Sequence, residues 1–156
     1  MNLSPYEKAL IRAEHKGILI DQWHTSKKVP AAAMCVEDDM GIFIDENAYQ
    51  TDTERRFAFL HEMAHCETAG FYNEHTPEVE REKIEYKANK RTVAYLVPFN
   101  LYKAAIMAGY FNEYEQAEYW NVPIDFVPTI HQTYERTKWE DVQELMASTA
   151  EKCQDC

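Results

Sequence analysis

Two histidines four residues apart, His61 and His65, bracket a glutamate in the run Phe59-Leu60-His61-Glu62-Met63-Ala64-His65-Cys66. On a helix that spacing brings both imidazoles to one side, one turn apart, where their neutral nitrogens can share one Zn²⁺ at ~2.0–2.1 Å. Glu62 then projects beside the metal instead of binding it. A carboxylate there can take a proton from metal-bound water. With six histidines in the chain, an accidental His-Glu-x-x-His is expected only about 0.03 times per sequence of this composition. The bland alternative, two histidines on a helix surface, weakens further once a third ligand is at hand.

A hydrolytic zinc centre takes three protein ligands and leaves the fourth position to water. Downstream of His65 the chain offers Glu67, His75, Glu82 and Glu85. Glu67 lies only two positions past His65, about 200° around the helix axis, and points away. Glu85 is flanked by apolar Ile84 and Ala88, which turns its face inward, whereas Glu82 sits among Glu80, Arg81 and Lys83. A buried carboxylate is costly unless paired or metal-bound. Glu85 is therefore favoured, with His75 in a loop that can fold back and Glu82 as alternatives. Asn89, at i+4 from Glu85, can accept a hydrogen bond from a ligand imidazole and fix its tautomer. Tyr72, Tyr86 and His75 are candidates to donate a hydrogen bond to a tetrahedral oxyanion.

Taken together, His61-Glu-Met-Ala-His-Cys66, Phe71-Tyr72-Asn73, Glu85-Tyr-Lys-Ala-Asn89 and Leu96-Val97-Pro98 resemble the ImmA/IrrE metallopeptidases of phages, conjugative elements and bacterial hosts. These are a gluzincin arrangement in miniature. The resemblance implies a small zincin-like α+β domain with a β-hairpin, an active-site helix, a third-ligand helix and C-terminal helices. By position it implies His61, His65 and Glu85 as ligands of one Zn²⁺ per chain and Glu62 as general base. It further implies a cytoplasmic peptidase that cuts or antagonises a helix-turn-helix repressor of a mobile element. Two positions depart from the family pattern: Ala64 stands where Gly is frequent, and Asn89 where Asp is common, which makes its hydrogen bond neutral and weaker.

Such a site needs one helix for the histidines, another for Glu85, and a sheet behind them. Ser4 and Glu7 form a capping-box pattern with Pro5 in the first turn, for a short helix stopping at Gly17. A brief apolar run, Gly17 to Asp21, follows. Ala31–Val36 and Gly41–Asp45 around the acidic turn Glu37 to Met40 predict a hairpin. Thr51 to Glu54 starts a helix reaching about Ala69, with Phe57, Leu60 and Ala64 facing inward and Gly70 as its stop. The next helix runs from near Pro77 to Val97, before Pro98. Further helices are expected over 100–108, 113–120 and 124–152, with a break at Pro128. The expected organisation is a catalytic domain, 1–110, with a helical extension, 111–156, packed on it. Tyr119, Trp120, Phe126 and Ile130 are expected to pack its helical pair as a lid or substrate platform.

Sixteen basic against 27 acidic residues leave a net charge of −11. That balance argues against a protein that coats phosphate backbones. No run approaches the ~20 apolar residues of a membrane span, and the N-terminus lacks a signal-peptide pattern. Both predict a cytosolic protein with reduced, free cysteines. Cys153-Gln-Asp-Cys156 reads as an exposed tail in preference to a metal or redox pair, and Cys66 as a small buried hydrophobe. His15, His24 and His131 read as isolated. Two rival functions remain in view. One is a zinc-containing module that antagonises its partner by docking alone. The other is DNA binding through a helix-turn-helix near 113–134, which carries no Lys or Arg before Arg136 and is poorly equipped for phosphates.

Overall fold

The structure, a computed structural model, describes residues 2–24 and 29–154. Capping chemistry sets where its first helices begin. In α1 (Pro5–His15) the Ser4 hydroxyl accepts from the Glu7 N–H while the Glu7 carboxylate accepts from the Ser4 N–H. The same reciprocal pair, Thr51 with Glu54, opens α2 (Asp52–Thr68). Each pair satisfies two backbone donors that a helix start would otherwise leave unmet.

Three strands lie between these helices: β1 (Leu19–Gln22), β2 (Ala31–Val36) and β3 (Asp39–Ile44). They form one mixed sheet in the order β1-β3-β2. In the antiparallel β2–β3 hairpin Val36 stands opposite Asp39. The turn is thus two residues, Glu37-Asp38, tighter than the four-residue turn the acidic run suggested. Glu37 accordingly takes a left-handed φ of 56°, as tight hairpins require of a turn residue. β1 runs parallel to β3, a pairing its short apolar run did not announce. β2 is consequently an edge strand, with no strand partner on its outer side among the described residues.

By its contacts the α+β chain divides into two compact units, Met1–Thr92 and Val93–Cys156. In the first, α1, β2 and β3 pack on α2. Ile42, Ile44, Phe59, Leu60, Met63 and Ala64 form the core there. Each large apolar side chain among them contributes about 1.5–3 kcal/mol by leaving water. Phe57 does not join this core. Phe59 and Met63 do, and Phe57 instead stacks on His61, with ring centroids 6.2 Å apart. The Glu67 carboxylate, 3% exposed, lies 2.9 Å from Arg12 of α1 and 3.2 Å from Arg91 of α3 (Glu78–Leu96). One buried charge thereby links three helices.

The second unit contains α4 (Phe99–Met107), α5 (Glu113–Trp120), α6 (Val127–Thr137) and α7 (Trp139–Gln154). α4 packs against α5 and α7 around buried Tyr102, Ile106, Val127, Ile130 and Val142. It therefore clusters with the later helices, and the change of unit falls inside α3. Trp120 and Phe126 are buried as well. Tyr119 is not: it is exposed, its ring 5.1 Å from that of Tyr110. Pro128 does not break the chain. It occupies the first turn of α6, where a missing N–H costs no hydrogen bond. The break falls at Lys138, whose φ of −140° and ψ of 42° leave the helical region. Nor is His131 isolated. Its Nδ1 lies 2.9 Å from the Tyr102 hydroxyl and its Nε2 2.8 Å from Gln116 Oε1. Of the Cys153–Cys156 tail pair, Cys156 and the Cys153 side chain lie outside the described residues. No helix among the described residues is long and apolar enough to cross a membrane.

Candidate metal centre

His61 and His65 leave α2 on the side that faces Glu85 of α3. Their Nε2 atoms are 3.1 Å apart. His61 Nε2 lies 3.2 Å from Glu85 Oε2, and His65 Nε2 3.2 Å from Glu85 Oε1. Bonds of ~2.0–2.1 Å at tetrahedral angles would separate ligand atoms by about 3.3–3.4 Å. The two imidazole nitrogens stand close to that separation, each faces a different oxygen of the same carboxylate, and together the three side chains could hold a metal ion. Glu82 is exposed and outside this group. Glu67 is turned away to its two arginines.

The electrostatics match the geometry. Burial alone would raise the Glu85 pKa, but hydrogen bonds from His61, His65 and Tyr72 outweigh it and hold the carboxyl well below its usual range. Burial disfavours a charged His65, yet the hydrogen bond and charge of Glu85 prevail and raise its pKa. A cation competes with that proton for the same lone pairs. Tyr72 donates to Glu85 Oε1 at 2.7 Å. Burial first, and then this bond, push its hydroxyl up to about 12, so it stays a donor at neutral pH.

The supports of the two imidazoles differ from those the sequence suggests. His65 Nδ1 donates to the Gly70 carbonyl at 2.7 Å, which leaves Nε2 as its free lone pair. His61 Nδ1 is buried without a hydrogen-bond partner among the described residues. The bond expected from Asn89 to a ligand histidine is not made: the backbone just after α2 takes the proton of His65 first. α2 itself ends on Ala69 at a left-handed φ of 51°, not on Gly70. Gly70 serves a different need, close approach, since a Cβ there would stand 2.9 Å from Ile84 Cγ2.

Glu62, between the two histidines, is not one of the three converging groups. Burial raises its pKa, against the pull of His61, His65 and the Ala33 N–H that it accepts. It lines a cleft of about 520 Å³ together with His61, His65, Glu85, Ala31 to Ala33 of β2, the 70–74 loop and Arg81. Because the Ala33 N–H points off the sheet toward Glu62, backbone alternation places the polar groups of Ala31 on that same open edge. Among the three oxyanion candidates, only Tyr72 lines the cleft. Tyr86 does not, and His75 is almost fully exposed beside Glu74. Cys66 is buried, and its thiol is pushed up to about 12 mainly by that burial.

Sequence reasoning missed Gly70, Ala33, Tyr49 and Arg81. Gly70 was legible only as a helix stop, and Ala33 as one of three alanines in a strand. Tyr49, whose hydroxyl burial and the charge of Glu62 push up to about 12, carries no spacing signal. Arg81 looked like one member of a solvated charge run. No family model matches this chain, and no curated protein or solved structure does so either.

Proposed function

We propose that this chain is a zinc-dependent endopeptidase of the zincin type, with His61, His65 and Glu85 holding the cation and Glu62 as general base. One observation carries the reading: two imidazoles and a carboxylate that converge within reach of one cation open into a cleft that also presents the half-buried Glu62 and a strand edge without a strand partner among the described residues. Two imidazoles and a carboxylate are a donor set suited to zinc. A cation held there supplies Lewis acidity, polarising a carbonyl and making water acidic near neutral pH.

The remaining work falls to the chain's own side chains. The outer edge of β2 can add an extended peptide as a further strand through the backbone of Ala31 and the carbonyl of Ala33, the Ala33 N–H being held by Glu62. That fixes the peptide alongside the α2 histidines. Glu62, made more basic by burial, takes a proton from the attacking water and returns it to the leaving amine. Tyr72, a protonated donor at the cleft wall, is the candidate to stabilise oxyanion charge. The substrate, a helix-turn-helix repressor of a mobile element, follows from the resemblance to the ImmA/IrrE metallopeptidases.

Zinc-loaded protein and its Glu62→Gln variant, each mixed with the repressor encoded beside the gene, test the reading. The expected outcome is cleavage by the unsubstituted protein, a loss of about 10²–10⁴-fold in the variant, and one zinc per chain in both. Intact repressor in every mixture would reject the peptidase. Repression relieved equally by the variant would point to docking instead.

A further inference from the structure

Among the described residues, the cleft holds one cation that the mechanism does not use. Of its carboxylates, Glu62 accepts the Ala33 N–H, Glu74 lies 3.6 Å from His75, and Glu85 is engaged by His61, His65 and Tyr72. Arg81 lines the same cleft, and its side chain makes no ion pair or hydrogen bond among the described residues. It sits four residues before Glu85 on α3, so its side chain leaves the same helix face about 6 Å along the axis. Its charge is felt at the Tyr72 hydroxyl, itself 2.7 Å from Glu85. An arginine fork matches a carboxylate with two parallel hydrogen bonds, a geometry a lysine lacks.

We propose that Arg81 is an anion-binding subsite that takes a carboxylate of the bound peptide within one or two residues of the scissile bond. The site therefore selects an acidic segment, either through an Asp or Glu side chain or through a chain terminus. Among the described residues lining the cleft, Glu62, Glu85 and the two histidines are engaged within the protein and Glu74 is exposed, so Arg81 is the cation from which a preference for an acidic peptide is set. This rests on the peptidase reading, because it assumes that the cleft receives a peptide.

The test uses hydroxamate-capped peptides, which anchor on zinc without being cleaved, bound to the zinc-loaded full chain by calorimetry. Three series carry an amidated Asp peptide, the amidated Asn counterpart, and the Asn peptide with a free C-terminal carboxylate. In each, the residue is placed next to the hydroxamate or one beyond. The amidated Asp series is expected to bind about tenfold tighter than its Asn counterpart if side chains are read. The free-terminus series gains that factor instead if termini are read. In Arg81→Ala either ratio falls to about one. Arg81→Lys retains part of it, and Arg81→Glu favours a Lys-bearing peptide, all with zinc content unchanged. Equal binding of all three series by the unsubstituted protein would overturn the subsite while leaving the peptidase standing. No binding of any hydroxamate to the zinc-loaded chain would overturn both.

Discussion

Replacing Gly70 with alanine tests how tightly the loop after α2 couples to the ligands. The added Cβ would stand 2.9 Å from Ile84 Cγ2, 3.2 Å from Thr68 Oγ1 and 3.7 Å from His65 Nδ1. Carbon atoms prefer about 3.5–4.0 Å, so Ile84 must retreat by roughly 0.6–1 Å. Its β-branched side chain has essentially one rotamer in a helix, and the displacement passes to α3, where Glu85 is the next residue. The Gly70 carbonyl holds His65 by its Nδ1, so a second ligand is disturbed as well. Gly70 is not among the residues of positive φ. Alanine is therefore no burden on the backbone, and its lower unfolded-state entropy even favours folding by about 0.4–1 kcal/mol. Overpacking costs about 1–3 kcal/mol and should win. Loss of support for a ligand histidine typically weakens metal binding about 10–100-fold. Competition against a chromophoric zinc chelator, beside thermal melting, measures both. Zinc affinity within twofold of the parent would refute the coupling.

Two further perturbations probe the scaffold. Glu67→Gln removes the charge that Arg12 and Arg91 share and should cost about 2–3 kcal/mol in urea unfolding; a loss below about 0.5 kcal/mol would show that the three helices do not depend on it. Burial depresses the His131 pKa against the opposing charges of Glu135 and Glu113. The unfolded chain therefore binds the proton more readily, and stability present above about pH 6.5 declines as the pH falls below it. Melting temperatures measured from pH 7 to pH 5 should fall less steeply in His131→Gln, and parallel slopes would exclude the histidine as the cause.

The triad was legible in the sequence because its logic is local. Helical spacing puts His61 and His65 on one side, and the apolar flanks of Glu85 turn its carboxylate toward them. The helix starts were legible for the same reason, since Ser4 with Glu7 and Thr51 with Glu54 are reciprocal pairs three residues apart. What escaped depends on contacts distant in sequence. The parallel pairing of β1 with β3 needs a crossover that no short window contains. The sequence offers Asn89, one turn past Glu85, as the support of one of the two imidazoles, because side chains are what a sequence displays. A backbone carbonyl, that of Gly70, provides it. Pro128 was read as a breaker where it only opens a helix, since a proline alone does not reveal which turn it occupies. Arg81 was hidden in the opposite way: its neighbours Glu80, Glu82 and Lys83 made it look like surface.

Zinc K-edge X-ray absorption on the loaded protein tests the convergence of His61, His65 and Glu85 most directly. The account predicts one zinc per chain with a light-atom shell at about 2.0–2.1 Å, two imidazoles resolved by their outer-ring scattering, and the second imidazole gone in His65→Ala. A shell dominated by sulfur near 2.3 Å, or scattering unchanged in Glu85→Ala and His65→Ala alike, would contradict it.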